Sequence, residues 1–223
     1  MLAVRAAAPP PPGQVPDTIW PTAEVASLAA DRSLYREGDA PRHWYRLLSG
    51  TLRVVRGLAD GRRHVSEFVF PGQLFGNEPG PQRLFAAEAV SAATLLIYPV
   101  ESIELRTAQD HLARRTIRQV VAEQLAAAQM RAVTLGTLTG GERVEAFVAD
   151  MARRHPTGRV AELPMNRTDI ADHLGLTVET LSRLLGALRR RGAIRLQGAN
   201  RIEVCDQRLL AKRSEAAALA HCA

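Results

Sequence analysis

The stretch "NRTDIADHLGLTVETLSRLLGALRRRG", Asn166 to Gly192, decides the fold. Gly175 divides it into two helical runs. In the first, Asn166 is placed to cap the free amides at the start. Asp169 sits where a capping-box acid would sit, and Gly175 can stop the run. The second run, 178–191, opens after Thr177 as its N-cap. Its leucines, Leu181, Leu184, Leu185 and Leu188, recur at helical spacing. At about 100° per residue, Glu179, Ser182, Arg183 and Gly186 fall nearly opposite them. A solvated face is the ordinary reading of such a polar side. Two short helices joined by a tight Gly-containing turn are, however, a helix-turn-helix. The second helix of that motif enters the major groove of DNA and presents its N-terminal residues to base edges.

The residue types suit that role. Arg183 can donate two bonds to guanine, Glu179 can accept from the cytosine amine, and Ser182 can bond or pack on a thymine edge. Gly186 leaves the face unobstructed. Arg189, Arg190 and Arg191 end the helix with cations, suited to a helix C-terminus and to phosphates. From Gly141 to Arg213 there are 14 Arg and Lys against 9 Asp and Glu, which is +5 of the chain's +6. "AIRLQGANRIEVC" reads as a β-hairpin around Gly198–Ala199–Asn200, and "QRLLAKRSEAAALA" as a closing helix.

Upstream, "TGGERVEAFVADMARRH" is amphipathic, with Val144, Phe147, Val148 and Met151 on one face, and "GRVAELP" suits a short strand. Between Asp110 and Leu138 there is no Pro and no Gly except Gly136. There, Val121, Leu125, Ala128, Ala132 and Leu135 are spaced 4, 3, 4, 3. That is the a/d seam of a helix paired with another helix. A second stripe, Ile117, Val120 and Ala127, suits packing on the chain's own body. The expectation is a homodimer through the first stripe.

From Ser33 to Pro99 the pattern changes to short extended runs punctuated by Gly. "WYRLLSGTLRVVR" reads as two strands broken at Gly50, with a hairpin turn following at Asp60–Gly61. "HVSEFVFPG" alternates with Val65, Phe68 and Phe70 apolar, and "AAEAVSAATLLIYP" supplies the last strands. Many short strands with Gly turns indicate a jelly roll or barrel. The fold class expected is α+β: a β-barrel over 17–109, a dimerisation helix over 110–138 and a winged helix-turn-helix over 139–223. Residues 1–16 read as an Ala/Pro-rich disordered tail, not a targeting signal.

Composition sets limits. No run of about 18 apolar residues predicts a membrane span. The pI of 10.3 points to a polyanionic partner, and Lys212 is the only Lys. Cys205 and Cys222 are the only cysteines, which fits a reducing cytoplasm and is too few for an iron–sulfur cluster. An enzyme on such a barrel would use clustered His and carboxylate metal ligands. His43 and His64 stand apart, with no His-x-His, no Gly-x-Ser-x-Gly elbow and no phosphate-binding Gly loop. No catalytic residue, cofactor or metal is expected. His43, His64 and His111 are haem ligands in principle only and read as ordinary surface or barrel histidines.

The order of parts resembles the Crp/Fnr superfamily of bacterial transcription regulators. The resemblance rests on "YREGD", "LLSGTLRVVR", "ADGRR", "FVFPGQLFG" and "NRTDIADHLGLTVETLSRLLGALRRRGAI", and covers about Leu34 to Asp206. The E-x-x-S-R core is similar to the Fnr and FixK branches. The cyclic-AMP receptor branch carries Arg-Glu-x-x-x-Arg there. The resemblance implies a homodimer on an inverted repeat, with Glu179, Ser182 and Arg183 reading a TTGAT-like half-site. It also implies activation through RNA polymerase. Phosphate contacts are assigned to Arg167, Thr168, Thr177, Thr180, Arg189 and Arg190.

The sensor motifs depart from the cyclic-nucleotide branch. Gly76–Asn77 stands where Gly-Glu would hold a ribose, and Arg83–Leu84 where Arg-Ser or Arg-Thr would hold a phosphate. With no cysteine before Cys205, an Fnr-type N-terminal cluster is excluded. The FixK-like branch is the reading that remains, with a small-ligand-gated regulator as the alternative. Cys205 is a candidate redox reporter, although a buried strand cysteine of the hairpin is the expected reading.

Overall fold

The computed structural model describes residues 23–206 and Arg208. The expected tail 1–16, the closing helix from Gln207 and Cys222 lie outside the described residues. Among the described residues eight strands come first: β1 (Glu24–Leu28), β2 (Ser33–Tyr35), β3 (His43–Ser49), β4 (Leu52–Gly57), β5 (Arg63–Val69), β6 (Leu74–Phe75), β7 (Ala86–Ala89) and β8 (Ala93–Pro99). They form two four-stranded antiparallel sheets, ordered β1-β8-β3-β6 and β2-β7-β4-β5. The sheets close on one core, in which Leu47 and Leu95 of the first meet Leu52, Val54 and Val69 of the second. This is the jelly roll. The break at Gly50 and the hairpin at Asp60–Gly61 fall between strands as expected.

Period-two alternation would put Val65 and Phe68, three apart, on opposite faces of β5. A β-bulge corrects the phase. Val54 pairs with Glu67 while Val55 pairs with Val65, so Ser66 is the extra residue. Val65 and Phe68 thus share the outer face with Val55, and Val69 turns to the barrel core.

Two helices follow, α1 (Val100–Gln109) and α2 (His111–Thr137). Asp110 separates them in an extended conformation and caps α2, its carboxylate accepting from Leu112 N and Ala113 N. The sequence expectation had no separate α1. At 27 residues, α2 is about 40 Å long. Ala113 and Val120 bury against Leu74 and Trp44. Gln124 donates to Leu74 O at 2.7 Å and accepts from Asn77 Nδ2 at 2.7 Å. The barrel-facing stripe is therefore Ala113, Val120 and Gln124. Ala127, expected in it, is exposed, and Ile117 is half-buried at its edge.

The remaining elements are α3 (Gly140–Arg154), β9 (Val160–Glu162), α4 (Arg167–Leu174), α5 (Val178–Arg190), β10 (Ile194–Leu196) and β11 (Arg201–Val204). Thr139 and Glu142 form a reciprocal capping box at α3, which buries Val144, Phe147, Val148 and Met151. The three strands pair in the order β10-β11-β9. Helices α3, α4 and α5 share one apolar core with this small sheet: a winged helix-turn-helix.

That core does not stop at the winged domain. It continues into Val55, Val65 and Phe68 of the jelly roll. Phe68, Phe147 and His173 meet ring to ring, with centroids 5.1 to 6.4 Å apart. His173 Nδ1 lies 2.9 Å from Val65 O. A carbonyl only accepts, so Nδ1 carries the proton. His64 Nδ1 donates in the same way to Asp172 O at 3.0 Å. Asp169 is wholly buried here. Its amide meets Asn166 Oδ1 at 2.8 Å, half of a capping box. Its carboxylate does not return to the cap as expected. It receives Arg53 Nη1 at 2.9 Å and Arg63 Nη2 at 2.5 Å, both from the barrel.

Burial pushes the imidazolium of His173 down to about 4 from the usual 6.5. The unfolded chain takes up this proton near pH 6.5, the folded one only near 4. Acidification across that window therefore favours unfolding, by about 1.4 kcal/mol per pH unit. We expect His173→Asn, which keeps a donor for Val65 O, to lack this component. Parallel denaturant titrations from pH 7 to pH 4 should show the two proteins converging by roughly 3 kcal/mol across that window. A constant difference would locate the acid sensitivity elsewhere.

Candidate nucleic-acid interface

The recognition edge is built from its caps. Asn166 opens α4, and Thr177 Oγ1 accepts from Thr180 N at 3.2 Å to open α5. Between the two helices Gly175 adopts the left-handed conformation, φ 63° and ψ 43°. Arg143 of α3 donates to Leu174 O beside it. A Cβ at Gly175 would come within 3.1 Å of the Arg143 guanidinium. The turn needs glycine for its backbone and for this close approach.

On α5, Leu181, Leu185 and Leu188 are buried and Leu184 is half-buried. Glu179, Ser182 and Arg183 are exposed on the other side. Among the described residues none of the three has a hydrogen-bond or ion-pair partner. The structure thus brings together the three sequence-predicted base readers as a free polar edge on a buried stem. Arg189 and Arg190 are likewise exposed at the carboxyl end. Arg191 is the C-cap, with Nη2 on Glu145 Oε1 at 2.5 Å, so the helix proper ends at Arg190.

Other expected contacts have partners inside the protein. Arg167 donates to Ala199 O at 3.1 Å and so ties the start of α4 to the tip of the hairpin. Thr177 Oγ1 donates to Thr180 Oγ1 at 3.1 Å. Thr168 is exposed in the first turn of α4. The hairpin is stitched by Glu203, which accepts from Arg195 at 2.7 Å and Gln197 at 2.9 Å. Cys205 corrects an expectation: it lies past the end of β11 and is exposed, not buried in the hairpin.

The barrel site is built from the same residues that departed from the expected motif. Arg83 is 2% exposed. Its guanidinium donates to Gly76 O and to His43 O, and lies 4.3 Å from the Tyr35 ring centroid. Tyr45 packs so closely that a Cβ at Gly76 would stand 2.8 Å from its ring. The amide of Leu84 donates to Glu78 Oε2 at 3.0 Å. Burial raises the Tyr35 and Tyr45 hydroxyls above their ordinary range, which keeps both neutral. Asn77, in the ribose position, is bonded to Gln124 of α2. These groups do not fit a cyclic nucleotide, because the phosphate ligand and the ribose ligand are both engaged within the chain.

Comparison with known proteins agrees with this geometry. Residues 142–213 match the Crp-like helix-turn-helix domain, and residues 25–108 match the cyclic nucleotide-binding domain. The nitrogen fixation regulation protein FixK of Rhizobium meliloti is 37% identical over 180 residues, covering 81% of this chain and 82% of that protein. The chain belongs to the Crp/Fnr family, in its FixK-like branch. FixK of Azorhizobium caulinodans is 34% identical over 190 residues, 83% of this chain and 77% of its own length. The solved structure of FixK2 from Bradyrhizobium japonicum superposes with a TM-score of 0.80 at 35% identity, covering 84% of this chain and 96% of that one. As a FixK-like regulator the chain is a DNA-binding transcription regulator and not an enzyme.

Sequence reasoning missed the contacts between the two halves, Arg53 and Arg63 with Asp169 and Asp172. It set Arg83 against the phosphate-binding position of the cyclic-nucleotide branch and did not foresee its inward turn onto Gly76 O and His43 O. We expect millimolar cyclic AMP to leave the melting temperature unchanged. A ligand held at 100 times its Kd would add about 2.7 kcal/mol to stability. A clear rise in a thermal-shift assay would show that Arg83 can be released.

Proposed function

We propose that this FixK-like regulator works as a cytoplasmic homodimer on an inverted repeat with TTGAT-like half-sites, and that it activates transcription through contact with RNA polymerase. The observation that carries this reading is the free edge of Glu179, Ser182 and Arg183 at the start of α5. These three groups have donors and acceptors for base edges and no competing partner within the described chain. Arg189 and Arg190 then lie along the phosphates, with Thr168, Thr177, Thr180 and Arg167 at the amino ends of α4 and α5. Domains are assigned as 17–109, 110–138 and 139–223.

The second support is α2. Val121, Leu125 and Leu135 of the expected seam are 40%, 59% and 36% exposed, and Ala128 and Ala132 are exposed beside them. The adjacent side of the same helix, carrying Ala113, Val120 and Gln124, lies on the barrel. An apolar stripe of this length at heptad spacing is satisfied by a second copy of itself. Two-fold pairing in turn demands a palindromic site. Recognition helices about 34 Å apart face successive major grooves.

The decisive experiment is selection of bound duplexes from random DNA by the purified protein with no ligand added. Recovery of TTGAT-like inverted repeats is the expected result, and recovery of unrelated or unpaired sequences would overturn it. Affinity for the selected site should fall by about a decade or more between 50 and 200 mM salt. Arg183→Ala should cost about 1–3 kcal/mol on that site and much less on random DNA. Equal losses on both would reduce Arg183 to a phosphate anchor. Leu125→Glu places a charge in the seam. It should shift sedimentation from dimer to monomer and forfeit the roughly 10²–10⁴-fold gain of joining two half-site contacts.

A further inference from the structure

We propose that Arg53, Arg63 and Asp169 are positioning residues that set the half-site spacing the regulator accepts. The inference rests on the reading of the chain as a dimer on an inverted repeat. Three links connect the dimer seam to the recognition helix. The first is rigid: α2 carries the seam and is fastened to the barrel through Val120, Ala113 and Gln124. The last is rigid too: α4 and α5 share a buried core and a tight turn at Gly175. The middle link is not covalently rigid. Leu138 and Thr139 alone separate α2 from α3, and both are extended, with ψ 142° and 160°. A two-residue joint permits rotation of the winged domain about the end of α2.

The surface between β4–β5 and α4 removes that freedom. Each oxygen of the buried Asp169 carboxylate takes one arginine, Arg53 at 2.9 Å and Arg63 at 2.5 Å. Each arginine has a second carboxylate: Arg53 reaches Glu88 at 2.8 Å, and Arg63 Nε reaches Asp172 at 2.8 Å. His64 and His173 add a reciprocal pair of bonds across the same junction. Arginine forks are planar and directional, so two forks on one carboxylate admit one docking pose, whereas an apolar patch would tolerate sliding. Helix α4 is the part gripped, and it carries α5. In a two-fold dimer each α5 therefore stands at a fixed distance from the axis, and the spacer between half-sites is read by this junction. None of the three residues faces the recognition edge.

The test uses the full chain and alters the barrel side, which leaves the winged domain intact. Arg53→Gln with Arg63→Gln removes both forks. Duplexes with the selected half-sites and spacers of one base pair more or fewer are compared with the optimal spacer. The parent should discriminate sharply. The double variant should bind the optimum about tenfold more weakly and lose most of its preference among spacers, while half-site selection stays the same. Arg63→Lys should restore part of the discrimination. If the double variant fails to fold, Arg63→Gln alone, which leaves Asp169 its Arg53 partner, should give an intermediate loss. Spacer discrimination as sharp as in the parent would overturn the proposal. Failure of any protein to select paired half-sites would instead overturn the dimer reading.

Discussion

The carboxylate of Asp169 has no exposed surface and is held between two arginines that lie 116 and 106 residues away in the chain. A charge so placed is tolerable only if it is paired and hydrogen-bonded. Both oxygens are paired, and each arginine has a further acidic partner. An apolar contact of the same size would hold two domains together at least as well, because desolvation offsets much of the Coulomb attraction. What ionic geometry adds is direction. The packed rings of Phe68, Phe147 and His173 bring β5 against the winged domain, and the forks decide at which angle. The orientation of α5 follows from that angle, since α4 is gripped on one side and joined to α5 on the other.

The winged domain was legible because its signals are local. Asn166 and Thr177 each precede a helix by one residue, Gly175 stands at the only left-handed position of the turn, and the leucine stripe states which side is inside. The exposure of Glu179, Ser182 and Arg183 on the other side then follows by subtraction. The junction was not legible for the converse reason. Asp169 matches a capping-box acid within its own window, and nothing in that window reports strands more than a hundred residues earlier. Arg53 occupies an outward position of β4 that alternation would assign to solvent. Regular alternation would separate Val65 from Phe68, and only the bulge at Ser66 brings them to one face. The helix α1 escaped because it buries one residue, Ile103, and so leaves almost no apolar stripe to read.

The barrel shows the same division between composition and contact. Gly76, Asn77 and Arg83 sit where a nucleotide site would be expected, so the motif could be aligned and its departures named. Which way Arg83 points depends on Tyr35 and Tyr45, aromatic residues on two different strands whose side chains converge on one guanidinium. Arg83 is turned onto Gly76 O and His43 O, and Asn77 ties the barrel to Gln124 of α2. Barrel and helix are thus joined by direct contacts between their own groups.

The basic balance of the chain gains meaning only when its arginines are separated by what they touch. Arginine keeps its charge at every cellular pH, so each one must find acceptors or face water. Arg53, Arg63 and Arg83 have acceptors in or against the barrel, Arg143 on the end of α4, Arg167 on the hairpin tip, and Arg191 and Arg195 on glutamates. Those side chains shape the fold: carboxylates match Arg53, Arg63, Arg191 and Arg195, while backbone carbonyls hold Arg83, Arg143 and Arg167. Arg183, Arg189 and Arg190 have no such partner among the described residues, and all three project from one helix. A net charge of +6 would say only that a polyanion is attracted. Three guanidinium groups without a partner among the described residues, all on α5, show where the unmatched charge is concentrated.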